Sequence, residues 1–186
     1  MDKVSYRRII VKDISLSLSS QRQTAEILMS LTIIDIGFNI KNIVNFNICR
    51  NKSIKNLSND IDVIYLLGGS TYYILDRLRK LGIDKMIKKF ANKGGVFIGI
   101  SAGSIIAGKD VKIAGWGSEA DSNDIGLKDL RGLGLTDIAV FPHYKLKLKN
   151  EVKEFREKVD YPVFELRDGE ALAIAGNKIN KVGKRV

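Results

Sequence analysis

Residues 99–103 read Gly-Ile-Ser-Ala-Gly and place Ser101 between an apolar run at residues 96–100 and a helix-like stretch at residues 102–107. A serine on a sharp strand-to-helix turn exposes its hydroxyl, and backbone N–H groups at the start of the helix can hold an oxyanion. The two glycines make such a turn sterically accessible. The pattern predicts Ser101 as a nucleophile, although a five-residue motif of such common residue types also fits a purely structural turn.

A serine nucleophile needs a neighbouring base, and the chain contains one histidine, His143. It follows a short apolar run at residues 139–141, and Pro142 would end that strand. Loops at the carboxyl ends of strands carry the functional groups of α/β sheets. His143 is therefore the candidate base, and the alternative is an ordinary surface or hydrogen-bonded loop histidine.

A third group, an acid, would orient the imidazole. The loop at residues 119–129 lies between the serine and the histidine and contains four acids, namely Glu119, Asp121, Asp124 and Asp129. Spacing alone does not choose among them, because each also fits a solvated turn residue.

The composition is that of an ordinary globular protein. With 186 residues, 45% of them hydrophobic and 28% charged, we expect a single domain over residues 1–186. The apolar runs are too short to span a membrane, and the N-terminus lacks the apolar block of a signal peptide, so a cytoplasmic location is expected.

The single cysteine, Cys49, excludes an internal disulfide, and its predicted strand at residues 43–49 favours burial over a nucleophilic role. No set of cysteines and histidines indicates zinc, and no metal is expected.

The net charge of +10 and the pI near 9.6 raise nucleic-acid binding as a further alternative. The basic residues are dispersed, however, and their densest runs, residues 145–149 and 178–185, contain few aromatic side chains for base stacking. We therefore expect a solvated basic surface and no nucleic-acid or membrane partner.

Helical and strand patterns alternate through the chain, which predicts an α/β fold with a mostly parallel sheet. Helices are predicted at residues 21–36 and at about residues 84–92. A further helix is predicted to begin after residue 70 or 71, with Ser70 or Thr71 as its N-cap. The predicted strands cover residues 43–49, 61–67, 96–100, 139–141, 162–166 and 171–174, with a turn at residues 176–177 leading into residues 178–182.

Four segments in this order resemble peptidase family S51, which includes dipeptidase E and cyanophycinase-like relatives. They are residues 68–71 (Gly-Gly-Ser-Thr) after a strand, residues 99–104, residues 123–124 (Asn-Asp), and residues 141–144 (Phe-Pro-His-Tyr). The matching motifs span roughly residues 61–176. The resemblance implies a three-layer α/β/α sandwich similar to the class I glutamine amidotransferases and flavodoxin.

The resemblance also implies a triad in which Ser101 is the nucleophile, His143 the base and Asp124 the acid. By the same resemblance Gly69 and Ala102 supply the oxyanion N–H groups, and Gly68 shapes their loop. No cofactor is needed for this chemistry.

The best-known members of the family cleave dipeptides with an N-terminal aspartate, so a small peptide is the expected substrate. A cation would have to meet the aspartate side chain, and Arg131 and Arg167 are candidates, although both also fit solvated surface positions. The resemblance leaves open whether the protein is a monomer or a homodimer.

Residues 1–20 do not match the usual opening of the family. The run at residues 9–11 and the alternation of Ile14, Leu16 and Leu18 could supply an edge strand. A catalytically inactive relative that binds a small ligand or a partner in the same pocket is therefore the alternative to an active peptidase.

Overall fold

The computed structural model describes residues 8–12, 42–45 and 63–183. The predicted helix at residues 21–36 and Cys49 lie outside these described residues. The strands are β1 (Arg8–Lys12), β2 (Asn42–Asn45), β3 (Val63–Leu66), β4 (Val96–Gly99), β5 (Ala139–Phe141), β6 (Val163–Glu165), β7 (Glu170–Ala175) and β8 (Lys178–Gly183). The α-helices are α1 (Thr71–Lys80), α2 (Ile83–Asn92), α3 (Ala102–Ala107) and α4 (Lys149–Arg156), and short 3₁₀ helices cover Lys112–Gly115 and Leu146–Leu148.

A parallel sheet with the strand order β2-β1-β3-β4 forms the centre of the described structure. Ile9 of β1 is in register with Asn42 of β2 and with Ile64 of β3. The expectation that residues 9–11 supply an edge strand is wrong, because β1 is paired on both sides. This position satisfies the backbone groups of β1 within the sheet.

Two helices connect β3 to β4. In α1 the buried residues Ile74, Leu75 and Leu78 recur at helical spacing, and in α2 Ile83 and Ile87 do the same. The helix expected at about residues 84–92 is thus confirmed. This strand–helix–strand connection is long enough to place β4 parallel to β3.

Two further pairs of strands complete the described fold. β5 and β6 are parallel, with Ala139 opposite Val163, and β7 and β8 form an antiparallel hairpin. Helix α4, which the sequence pattern did not predict, connects β5 to β6 and buries Val152 and Phe155, three positions apart, on one face. The α/β class is confirmed, since parallel strands alternate with helices.

Among the described residues, one large cluster of buried apolar side chains joins β3, α1, α2, α3, β5 and α4. No helix among the described residues is long and apolar enough to cross a membrane.

Candidate active site

Ser101 lies on the sharp turn between β4 and α3. Its backbone has φ 51° and ψ −118°, a conformation that residues with a side chain rarely adopt. The Ile100 N–H donates to the Leu66 carbonyl at 2.9 Å, so β4 stays bonded to β3 up to the turn. The N–H groups of Gly103 and Ser104 then donate to the carbonyls of Ile100 and Ser101 and start the helix. The sharp strand-to-helix turn that the sequence predicts is therefore present as a strained turn with the serine at its apex.

Two glycines allow the chain to pack closely around this turn. A Cβ at Gly68 would lie 2.9 Å from the Cβ of Ser101, closer than real side chains approach. A Cβ at Gly103 would overlap the carbonyl oxygen of Leu66. Glycine at these positions is thus required for α3 and the loop after β3 to reach Ser101.

His143 lies two residues after the end of β5, at the same edge of the fold as Ser101. Its φ of 54° is unusual for a residue with a side chain, and it turns the chain so that Nε2 lies 3.0 Å from Oγ of Ser101. On the other side, the Tyr144 N–H donates to the Leu166 carbonyl at 2.9 Å. The histidine is therefore held between the elbow and the end of β6.

The acid that contacts the imidazole is Asp168. Its Oδ1 lies 2.7 Å from Nδ1 of His143, and Asp168 follows β6, the strand paired in parallel with β5. The resemblance indicated Asp124 for this place, and the structure brings Asp168 there instead. Asp124 lies in the exposed loop before β5 and accepts a hydrogen bond from the hydroxyl of Ser122, two residues earlier.

Asp168 is carried by a turn that Glu170 stabilises. The Glu170 carboxylate accepts the Arg167 N–H at 2.8 Å and also lies 2.7 Å from Nζ of Lys181. These contacts, the ion pair with Lys181 first, hold the pKa of Glu170 below its ordinary value. The side chains of His143 and Asp168 are 55% and 74% exposed, so the position of Asp168 depends on this turn rather than on burial.

The other loop acids have partners elsewhere. Asp129 pairs with Arg131, whose side chain lowers the pKa of this carboxyl. Glu119 pairs with Lys147 and Lys145, and their hydrogen bonds hold its pKa below the ordinary value.

The sequence pattern did not indicate Asp168, because only the acids between Ser101 and His143 were candidates for the third group. The available signal was an acid after the next predicted strand, since parallel neighbours end at the same edge of a sheet.

Gly69 and Ala102 remain the candidates for the oxyanion N–H groups. Ala102 follows the nucleophile at the first position of α3, and Gly69 lies in the loop after β3 with φ 144°. Neither N–H donates to another residue within the described part of the chain. Both residues, together with Ser101 and His143, line one cavity of about 120 Å³.

This cavity has an acidic side. Glu119 and Asp121 line it, and Trp116 and Ile113 contribute apolar surface. The two arginines considered for substrate binding lie elsewhere: Arg131 is paired with Asp129, and the guanidinium of Arg167 lies 6.0 Å from the ring centre of Tyr144. A second, wider groove of about 620 Å³ is also lined by Ser101 and His143 and includes Arg167 in its wall.

A serine, a histidine and a carboxylate joined in series at strand ends of an α/β fold define the serine hydrolase type of site. The sequence profile of peptidase family S51 matches residues 18–182, and the chain belongs to that family. The resemblance seen in the four motifs is thereby confirmed.

Several curated proteins are similar to this chain. An uncharacterized peptidase of Listeria monocytogenes is 27% identical over 124 residues, which cover 63% of this chain and 58% of that protein. Peptidase E of Streptomyces coelicolor is 26% identical over 68% of this chain and 54% of its own length. Peptidase E of Haemophilus influenzae is 26% identical over 81% of this chain and 69% of its own length. The chain thus spans little more than half the length of the first two relatives.

Two solved structures have the same fold. A protein of Listeria monocytogenes EGD-e assigned to peptidase E superposes with a TM-score of 0.78 at 20% identity, covering 98% of this chain and 88% of that chain. A peptidase from an acI-B1 Actinobacterium gives a TM-score of 0.65 at 17% identity, covering 96% of this chain and 74% of that chain. The expected fold class is confirmed by this agreement.

Proposed function

We propose that this protein is a serine-type peptidase that hydrolyses small peptides, with dipeptides that begin with aspartate as the first substrates to test. The observation that carries the proposal is the continuous series of contacts from Oγ of Ser101 through His143 to Asp168, 3.0 Å and 2.7 Å long. Membership of the S51 family and the similarity to peptidase E proteins support the same activity.

The proposed reaction begins when Oγ of Ser101 bonds to the carbonyl carbon of the peptide. Nε2 of His143 takes the hydroxyl proton as this bond forms. The negative charge that develops on the carbonyl oxygen is held by the N–H groups of Gly69 and Ala102, with Gly68 keeping the loop close to the serine. These donors are fixed before the reaction, so they need no reorganisation.

The carbon–nitrogen bond then breaks, and His143 returns its proton to the leaving amine. Water, activated by the same imidazole, attacks the ester on Ser101 and releases the acid product and free enzyme. Throughout both steps Asp168 holds Nδ1 protonated and stabilises the imidazolium. In this proposal the acid is Asp168, and Asp124 takes no part.

The cavity that contains Ser101, Gly69 and Ala102 is a small cleft of about 120 Å³, which is in keeping with a small peptide as the substrate. The wider groove, which Ser101 and His143 also line, offers more room for the rest of the peptide. A cytoplasmic location and the absence of a metal requirement remain predictions from the sequence.

The test is hydrolysis of a panel of Asp-X, Asn-X, Glu-X and Ala-X dipeptides by the wild-type protein and by Ser101→Ala. Loss of the nucleophile should lower kcat by several powers of ten, about 10⁶-fold at most. Ser122→Ala is the matched control, since the Ser122 hydroxyl donates to Asp124, an exposed acid that does not contact the imidazole. Cleavage that survives in Ser101→Ala would overturn the proposal, and a folded wild-type protein that cleaves none of the panel would overturn its dipeptide part.

A further inference from the structure

The turn that carries Asp168 is closed by two hydrogen bonds between the residues on either side of it. The Glu170 N–H donates to the Arg167 carbonyl at 3.0 Å, and the Arg167 N–H donates to the Glu170 carboxylate at 2.8 Å. Asp168 and Gly169 are the central residues of the turn, and Gly169 has φ 82°, a value that favours glycine at this position. The position of Asp168 therefore depends on how Arg167 and Glu170 are held.

Lys181 of β8 contacts both ends of the segment that contains this turn. Its Nζ lies 2.7 Å from Oε2 of Glu170 and donates at 3.1 Å to the carbonyl of Glu165, the last residue of β6. Oε2 of Glu170 is also the oxygen that accepts the Arg167 N–H. Lys181 thus links the end of β6 to the start of β7, with Asp168 between them.

The register of the β7–β8 hairpin places Lys181 within reach of both contacts. Lys181 is opposite Leu172, and Glu170 lies two positions before Leu172 on the same face of the hairpin. Long side chains reach such diagonal neighbours across a pair of strands. Gly183 is opposite Glu170, and a Cβ there would overlap the carbonyl oxygen of Gly169. Strand β8 therefore packs directly against the turn.

The ion pair between Lys181 and Glu170 is partly shielded from water. The Glu170 side chain is only 9% exposed, and that of Lys181 is 44% exposed. A shielded carboxylate that loses its cation is costly, because the charge stays without a partner away from water. Removal of the lysine would draw Glu170 towards solvent, and the oxygen that holds the Arg167 N–H would move with it.

Asp168 has little else to hold it in place. Its side chain is 74% exposed, and within the described ranges its carboxylate has Nδ1 of His143 as its hydrogen-bond partner and no other group. A displacement of about 1 Å in a group that orients a catalytic residue can lower a rate about 100-fold. The backbone of the turn, and whatever fixes that backbone, thus controls the contact with the imidazole.

We propose that Lys181 is a positioning residue, which keeps Asp168 against His143 by tying Glu170 to the end of β6. The inference rests on the proposed function, because it assigns this lysine a role in the proposed reaction. Lys181 lines neither the cavity nor the groove beside Ser101, so it acts on the reaction through Asp168 and not through the substrate. The β7–β8 hairpin is thereby part of the catalytic apparatus.

The first test observes the imidazole directly and needs no substrate. His143 is the single histidine of the chain, so its ring signals are identified without further assignment. Long-range proton–nitrogen NMR spectra at about pH 9, where an ordinary imidazole is neutral, report which ring nitrogen carries the proton. In the wild-type protein Asp168 should hold this proton on Nδ1. Lys181→Met should shift the population towards the form protonated on Nε2, and Asp168→Ala marks the spectrum of an imidazole without its acid.

The second test is steady-state kinetics on an Asp-X dipeptide that the wild-type protein cleaves. Lys181→Met should lower kcat about 10- to 100-fold, the equivalent of one charge-assisted hydrogen bond, with KM changed less than about twofold. Lys181→Arg keeps a cation for Glu170 and should restore most of kcat together with the wild-type tautomer. Lys178→Met is the matched control, since Lys178 is exposed on the opposite face of the same strand, and it should leave both readouts unchanged.

The outcomes separate a positioning role from a general effect on the fold. Urea unfolding identifies the variants that are folded under the assay conditions. If Lys181→Met fails to fold, Glu170→Gln removes the same ion pair from the other side and should shift the tautomer in the same direction. A wild-type tautomer in the folded variant, or a rise in KM with kcat unchanged, overturns the role of Lys181 and leaves the serine peptidase intact.

Failure of the proposed function has a different signature. If the folded wild-type protein cleaves no dipeptide, the peptidase proposal is overturned, and the tautomer in Lys181→Met still decides whether Lys181 positions Asp168.

Discussion

Oδ1 of Asp168 lies 2.7 Å from Nδ1 of His143, although 25 positions separate the two residues in the chain. They are adjacent because each follows one strand of the parallel pair β5 and β6. The Leu166 N–H donates to the Phe141 carbonyl at 2.9 Å and continues this pairing beyond the strands. The geometry of a parallel pair thus places the acid and the base at the same edge.

We predict that Asp168→Asn lowers kcat by about 10⁴-fold, because an amide no longer holds the imidazole in the reactive tautomer. Asp124→Asn should change kcat less than about twofold, since Asp124 contacts Ser122 and not the imidazole. Steady-state kinetics of the two variants on the same dipeptide provide the comparison. A large effect of Asp124→Asn with a small effect of Asp168→Asn would restore the pairing that the family resemblance indicated.

Gly68→Ala should lower kcat by about 10²-fold or more, since its Cβ would lie 2.9 Å from the Cβ of Ser101 and displace the loop that contains Gly69. The matched control is Gly134→Ala, where φ is 60° and nothing lies within 4 Å of the added methyl group. That control should lose only about 1 kcal/mol of unfolding free energy from backbone strain. Equal kcat values for the two variants would show that the close approach of Gly68 to Ser101 is irrelevant to the reaction.

Much of this site could be predicted from sequence because its signals are local. The turn at Ser101 depends on adjacent glycines, and the position of His143 depends on the short apolar run before it. These residues meet in the structure at 3.0 Å. Local patterns of this kind are visible in a chain read from one end to the other.

The remaining features depend on pairing between distant segments. Asp168 was missed because its role follows from the register of β5 with β6. The inner position of β1 follows likewise from its pairing with β2 and β3 on its two sides. Helix α4 was missed because only two of its eight residues, Val152 and Phe155, are buried, which leaves a weak apolar periodicity. Sequence periodicity reports which residues are buried and does not report which strands become neighbours.

The turn that carries Asp168 should weaken in acid. The folded state lowers the pKa of Glu170 from its ordinary value of 4.5, so its contribution to stability is complete above about pH 4.5. That contribution is lost as the pH falls through the lowered pKa of the folded state. Urea unfolding at about pH 7 and about pH 3 should therefore show a smaller pH-dependent shift of the midpoint in Glu170→Gln than in the wild-type protein. An identical shift in both proteins would exclude Glu170 as a source of acid sensitivity.

The loop that forms the acidic wall of the cavity is attached to α4 through Glu151. The Glu151 carboxylate accepts the Ser118 N–H at 2.9 Å and the Ser118 hydroxyl at 2.8 Å, while its carbonyl accepts the Trp116 indole N–H at 2.8 Å. Glu151→Ala removes the carboxylate and keeps the carbonyl, so the loop should loosen without unfolding the core. Because Asp121 lies in the same loop, we expect KM to rise roughly threefold to tenfold with kcat nearly unchanged.

The conservative variant Glu151→Gln retains an oxygen acceptor for Ser118 and should restore most of the wild-type KM. Circular dichroism and urea unfolding of both variants would separate a local effect on the loop from a general loss of stability. A fall in kcat with KM unchanged would place the effect of Glu151 on Ser101 and His143. In that case the loop would act on the chemical step, and its attachment to α4 would not govern substrate binding.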